Sequence, residues 1–450
     1  MTSADSKEQI ATGESEVAPG PVVAPSQAED AKPEAPPRIV DALRIRNFRL
    51  FFFGAFVSNL GTWLQSVPLS WLVLEMTDSA FWVAMVPVSQ FGPMLILGLP
   101  GGAAADRFER KKVLLVTQTV MLTSAAVLSY ITFTGRASLV TVFPPVILTG
   151  VALAFNMPAF QAFIGDLVPR HHVPSAISLN SLQFSLGRVI GPAIAGYILA
   201  TSGITGGIIV EASGPATAFA INSMSYLAVI GALLLIRVAP HERTQKFTKN
   251  SFLGGFKTAR ETPVIGTLIA VAMAMSLFSA PMISLLPVFA RNVLNKGAGS
   301  YGTLFAVFAM GTALGSVMSP RLVRQLGYKV IVIGGTLTQA AVLAGFALNR
   351  WFPLALGLIV IYGSMHGTIL AATSSGLQMA SPPRRRGRVM SLFLMAFAGL
   401  YPLGALIGGT TAQGVGVPVT MLIAAGLLGC SSLVWFKFRE RLSHVGGLVH

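Results

Sequence analysis

What most constrains this chain is how long it runs without charge. Trp82–Ala105 and Val113–Gly135 contain no Asp, Glu, Lys or Arg, and each exceeds the roughly 20 residues with which a helix crosses a ~30 Å hydrocarbon layer. At their junction lies Gly102-Ala-Ala-Ala-Asp106-Arg107-Phe108-Glu109-Arg110-Lys111-Lys112, a short basic hinge. Further uncharged runs cover Leu50–Leu74, Ala137–Gly165, Ala212–Ile236, Thr262–Ala290, Gly297–Pro320, Val330–Asn349, Trp351–Pro383 and Val389–Phe436. The turn signal Gly414-Val-Gly416-Val-Pro418 divides the last into two. Val173–Ala200, apolar but for Arg188, completes twelve expected membrane helices.

Composition agrees. Only 11% of residues are charged and 53% are hydrophobic, with a mean hydropathy of +0.68. A soluble domain carries about a quarter of its residues as charges. The net charge of +15 sits in short clusters between apolar runs, without aromatic interleaving, which argues against nucleic acid as a partner. The single cysteine, Cys430, excludes an internal disulfide and reads as a small buried side chain. The first 37 residues hold six prolines and no apolar core, which predicts a disordered cytoplasmic tail over 1–37.

Twenty-five Lys and Arg fall in alternate connections and at the two termini, against Arg136, Arg291, Lys296 and Arg350 on the other side. That bias predicts both termini in the cytoplasm. The polar stretch 237–261 splits the spans six and six, giving bundles over 38–236 and 262–440 and a tail over 441–450. A shift of 213 residues carries Gly98, Gly102, Gly150, Gly191, Gly196 and Gly203 onto Gly311, Gly315, Gly363, Gly404, Gly409 and Gly416. Pro68/Pro281 and Pro169/Pro382 fall on the same offset. The expected fold is an all-α membrane protein of twelve transmembrane helices in two pseudo-symmetric six-helix bundles, a design in which one bundle rocks against the other around a central path.

On these residues the chain resembles the major facilitator superfamily over roughly residues 42–440. Gly102-x-x-x-Asp106-Arg107-x-x-Arg110-Lys111 is similar to that superfamily's signature between spans two and three, with Glu109 where the pattern has Gly. The second copy, Gly315–Arg324, carries Ser319 in place of the acid. Asp166-Leu-Val-Pro169, Ser178-Leu-Asn180-Ser181, Arg386-Gly-Arg388-Val-Met-Ser391 and Gly187-Arg188-Val-Ile-Gly191-Pro192 resemble the branch containing the enterobactin exporter and macrolide-efflux carriers. The set Gly187, Gly191, Pro192 and Gly196 is similar to a motif that marks drug/proton antiporters, though the antiporter form ends in paired glycines. The resemblance implies export of a small amphipathic molecule in exchange for protons, through the cytoplasmic (inner) membrane, by a monomer. The fourth span lacks the arginine that many proton-coupled relatives carry, which counts against the usual coupling.

For gating, the resemblance points to Gly102, Asp106, Arg107, Arg110 and Lys111, with Asp106 meeting a helix N-terminus or pairing with Arg107 or Arg110. Arg188 is the only Lys or Arg within an apolar span, and an intramembrane charge is a functional candidate by default. Glu75, Asn59, Gln65, Gln90, Asn156, Asn180 and His366 are the other substrate or coupling candidates, although interhelical hydrogen bonding explains such polar groups equally well. The sequence offers neither a Gly-x-x-x-x-Gly-Lys-Ser/Thr phosphate loop nor a cluster with metal-ligand spacing, so no cofactor, metal or enzyme activity is expected. Uptake or facilitated diffusion remains open beside export, as does a non-transporting receptor or scaffold, which Asp106-Arg107 and Arg188 argue against.

Overall fold

The computed structural model describes residues 40–202, 208–237, 258–382, 385–438 and 440. The tails expected over 1–37 and 441–450, and most of the connection expected over 237–261, lie outside the described residues. Of that connection, 258–261 are helical.

In chain order the helices are α1 (Arg46–Thr77), α2 (Ala80–Arg107), α3 (Arg110–Phe133), α4 (Leu139–Leu167), α5 (Val173–Ser202), α6 (Ile208–Leu235), α7 (Pro263–Ser284), α8 (Leu286–Asn292), α9 (Ala298–Lys329), α10 (Gly335–Leu348), α11 (Phe352–Ala380), α12 (Arg386–Val415) and α13 (Val417–Lys437). Each uncharged run of the sequence lies on one or two of them. Among the described residues, eleven helical stretches are long and apolar enough to cross a membrane. One of these, Ala298–Leu348, has 51 residues, twice what a crossing needs. It breaks at Gly327, whose φ of +81° and ψ of 157° no helix accommodates, and resumes through a π-helical turn, Val330–Gly334, into α10. Dividing it there gives twelve spans. The seventh is α7 with α8, interrupted at Leu285 after Pro281. Gly416, with φ of +82°, is the whole link between α12 and α13.

The expected two-fold repetition appears in the packing. In the first half α1 lies against α5 and α6, α2 against α4, and α3 against α4 and α6. In the second, α7 lies against α12 and α13, α9 against α11, and α10 against α11 and α13. The two most extensive contacts between the halves are α5 on α9 and α2 on α12, and the repeat exchanges one for the other. Cys430, expected to be buried, is exposed. It sits on the outward stripe of α13 with Leu427, Leu433 and Val434, the stripe that faces lipid.

An even number of spans puts both termini on one face, called here the terminal face; the opposite one is the far face. The seam between the halves is sealed toward the far face. There Ser79 Oγ donates to Gln413 Oε1 at 3.0 Å, and Arg291 donates to the Leu74 carbonyl at 3.3 Å and lies 3.6 Å from Asp78. At the terminal face four pairings among the described residues each lie within one half. Arg110 meets Asp166, Lys111 meets the Ile236 carbonyl, and Asn47 meets the Arg237 carbonyl. In the second half Arg385 meets Glu261.

Candidate substrate site at the seam

The glycines of the fifth span explain its placement. Gly187 and Gly191 are four residues apart, hence on one face of α5, and that face lies on α1. A Cβ at Gly191 would stand 2.8 Å from both Leu64 N and Trp63 Cβ, and one at Gly187 would stand 2.5 Å from Asn59 Nδ2. Only glycine permits so close a backbone approach. Farther along, Gly196 meets Gly299 and Gly302 of α9, with a built Cβ 3.1 Å from each, and the Pro192 carbonyl lies against Gly302 as well. One end of the motif thus fixes α5 within its own half, and the other end fixes it across the seam.

The repeat behaves in the same way. Gly404, the counterpart of Gly191, packs on Leu277 of α7 within the second half. Gly409, the counterpart of Gly196, packs on Ala80, Phe81 and Ala84 of α2 across the seam.

Arg188 lies near mid-length of α5, about 22 Å along the axis from its Val173 end. The close α1–α5 contact brings Trp63 to it, with 5.5 Å between the guanidinium carbon and the indole centroid. Phe308 of α9 approaches from the other half, at 5.6 Å. The cation is therefore flanked by one ring from each half, and such contacts attract. The side chain is half-buried, its Nε is buried without a hydrogen-bond partner, and no described carboxylate pairs with it. The span acids sit elsewhere. Glu75 is exposed at the far end of α1, where it accepts from Trp71 Nε1 at 2.5 Å. Asp106 and Asp166 lie at the terminal ends of α2 and α4.

Around Arg188 runs a set of aromatic rings. Tyr301, Phe305 and Phe308 form a stripe along α9. Tyr301 stacks on Trp71 at 6.3 Å and Phe305 meets Trp63 at 6.4 Å, both across the seam. Phe308 touches Tyr362 and His366 of α11 at 6.1 and 6.0 Å, and His366 reaches Phe397 of α12 at 6.2 Å. Tyr401 of α12 meets Phe91 of α2 at 6.0 Å. A 301/305/308 spacing is visible in the sequence, but an aromatic stripe at helical period marks buried core just as often.

The remaining candidates separate. Asn59 Nδ2 donates to the Gln183 carbonyl at 3.2 Å and Gln183 donates to Asn180 at 2.9 Å, which backs α5 behind the arginine. Gln65 accepts from Asn222 at 2.7 Å and Asn156 donates to Thr117 at 2.8 Å, both inside the first half and away from Arg188. Gln90 is half-buried on α2, next to Phe91. His366 is buried, with Nδ1 3.3 Å from Gln339 Nε2.

At the hinge between α2 and α3 the pairing differs from expectation. The carboxylate that Arg110 meets, at 2.6 Å, is Asp166 at the end of α4, not Asp106. Asp166 wins because α3 packs along α4, whereas α2, which Asp106 ends, also packs on α4 and hardly touches α3. Asp106 is half-buried and has no ion pair or hydrogen bond among the described residues. Arg107 is exposed, 5.8 Å over the Phe108 ring. Lys111 caps the carbonyl end of α6 at Ile236, 2.8 Å away, where a helix end favours a cation. Gly102 has open space where a side chain would be.

Twelve spans, two repeated six-helix halves and a polar group at the seam define a carrier of the major facilitator architecture. Residues 39–445 match the transmembrane secretion effector family of the major facilitator superfamily, and the chain belongs to it. It is a multi-pass membrane transporter. Over 387 residues it is 24% identical to the enterobactin exporter EntS of Escherichia coli O1:K1, covering 86% of this chain and 89% of that one; the Shigella flexneri exporter matches equally. Among solved structures, the inward-facing, occupied form of a bacterial homologue of the human lysosomal transporter Spinster superposes with a TM-score of 0.71 at 15% identity, over 88% of this chain and 96% of that one. A D-xylose–proton symporter superposes with a TM-score of 0.67 at 14% identity, over 90% and 98%. These two likenesses concern the fold.

Proposed function

We propose that the protein exports a small amphipathic molecule across the cytoplasmic membrane by alternating access, with both termini in the cytoplasm and Arg188 at the binding site. The observation that carries this reading is Arg188 itself, a cation near mid-span without a counter-ion among the described residues, held between Trp63 of one half and Phe308 of the other. A group bound there touches both halves, which is the position from which cargo can follow their relative tilt. With the terminal face cytoplasmic, a seam sealed by Ser79–Gln413 and Arg291–Asp78 is the inward-open state. Export is supported by the relationship to EntS. Orientation is supported by the excess of Lys and Arg at the terminal face.

Exchange for protons rests on the motif Gly187, Gly191, Pro192 and Gly196. His366 is a poor carrier for that proton, because a charge on it would face the Arg188 guanidinium across Phe308. We assign it to the Gln339–Ser279 hydrogen-bond chain instead. For the gate, Asp106 is free in this state, so it is available to the basic start of α12, Arg385, Arg386 and Arg388, once the terminal face closes.

The test is uptake into inverted membrane vesicles. Export from the cell appears there as energised accumulation, and uptake that ignores collapse of the pH gradient removes the proton from the account.

A further inference from the structure

Resting on the reading of Arg188 as the binding site, we infer that the cargo is an aromatic anion, and that its negative group supplies the counter-charge this chain withholds from Arg188. The argument starts from what a guanidinium needs. It presents five N–H donors in a planar fork that fits a carboxylate or similar oxyanion through two parallel bonds. Here the rings of Trp63 and Phe308 cover part of it, but rings supply no hydrogen-bond acceptor. Nε is buried without a partner, the side chain is only half-buried, and no described carboxylate pairs with it. An intramembrane arginine normally pairs with an acid or a carbonyl. This one has neither among the described residues.

A neutral or cationic cargo would leave that charge uncompensated, and a cation would add repulsion. An anion neutralises it, so the loaded site crosses the membrane interior without net charge. The surroundings fix the rest of the ligand. Phe305 packs on Trp63, and Phe397 joins Phe308 through His366, so the surroundings are aromatic, and flat rings stack on such neighbours in offset or edge-on geometry.

A consequence concerns the driving force. Without proton exchange each turnover moves one negative charge outward, so an inside-negative potential of 100 mV favours export of a monoanion about 50-fold, and exchange for one proton multiplies in the same factor again.

The test uses one ring with three charges: naphthalene-2-carboxylate, naphthalene-2-carboxamide and 2-naphthylmethylammonium, titrated into the purified full-length protein. The carboxylate is expected to bind at least about tenfold more tightly than either of the others, a difference of the size one charge-assisted bidentate contact gives. Arg188→Gln is expected to erase that preference, and Arg188→Lys to keep part of it. Equal binding of the three probes by the unaltered protein, a preference for the ammonium, no binding of the carboxylate, or a carboxylate preference that survives Arg188→Gln would each overturn the inference. The charge series in the unaltered protein decides even where a variant fails to fold.

The same probes in inverted vesicles separate this inference from the export reading. Energised uptake of the ammonium or amide, untouched by Arg188→Gln, keeps export and overturns the anionic cargo. Selective binding of the carboxylate without energised uptake keeps the anion site and overturns export.

Discussion

Arg110 and Asp166 are 2.6 Å apart with side-chain exposures of 14% and 16%, whereas Asp106, four residues before Arg110, has no partner among the described residues. Two carboxylates of the same hinge region therefore have separable consequences. Breaking a largely shielded ion pair strands its other member, so Asp166→Asn is expected to lower stability by roughly 1–3 kcal/mol, read as a lower unfolding midpoint in detergent. Asp106→Asn is expected to leave the midpoint unchanged and to slow transport, because its partner belongs to the closed terminal face. Equal midpoint losses in the two variants would place Asp106 in the folded scaffold and remove it from the gate. The sequence singled out the hinge and its charged residues, but not the pairing. Asp166 lies 56 positions from Arg110, and only the packing of α3 on α4 brings them together.

At the scale of elements, the glycines of α5 and α12 divide by what they touch. Gly191 and Gly404 face a neighbour in their own half, so Gly191→Leu and Gly404→Leu are expected to lower stability by several kcal/mol through overpacking. Gly196 and Gly409 face the opposite half at the sealed end of the seam. Gly196→Leu and Gly409→Leu are therefore expected to wedge that end apart, raising far-face accessibility with a smaller change in midpoint. Thiol labelling at an introduced Ala412→Cys, buried beside Gln413 at that end of the seam, in a Cys430→Ser background that leaves no other cysteine, measures it. If all four variants lose stability alike and none gains accessibility, the seam is not where the halves part. The spans, the turn at Gly416 and the repeated glycines were legible in the sequence because each depends on local composition or on internal repetition. Which glycines face the seam was not legible, since that depends on how far the two halves tilt. Gly102 shows the limit of the 213-residue offset. It meets open space, while Gly315 packs against Ser364.

For the whole molecule, the account requires that the faces open in turn. Arg291 holds the far face through Asp78 and the carbonyl end of α1 at Leu74, so Arg291→Gln is expected to shift the population toward far-face opening. Exposed ion pairs are individually weak, and the shift should be a few-fold rather than complete. Twelve helices and their division into halves follow from hydropathy and repetition alone. The aromatic flanks of Arg188 do not, because Trp63 and Phe308 lie on two spans, one in each half, whose mutual approach no local pattern records.

The measurement that tests the central claim most directly is a pair of spin-label distances in the Cys430→Ser protein, reconstituted in lipid. Labels at Lys112→Cys and Gln325→Cys report the terminal face, and labels at Thr134→Cys and Lys296→Cys report the far face. Between the ligand-free protein and protein carrying naphthalene-2-carboxylate across a change of pH, the account predicts that one distance lengthens as the other shortens, and that Arg188→Gln removes the response to the carboxylate. Distances that stay fixed, or that lengthen together, would contradict alternating access around Arg188.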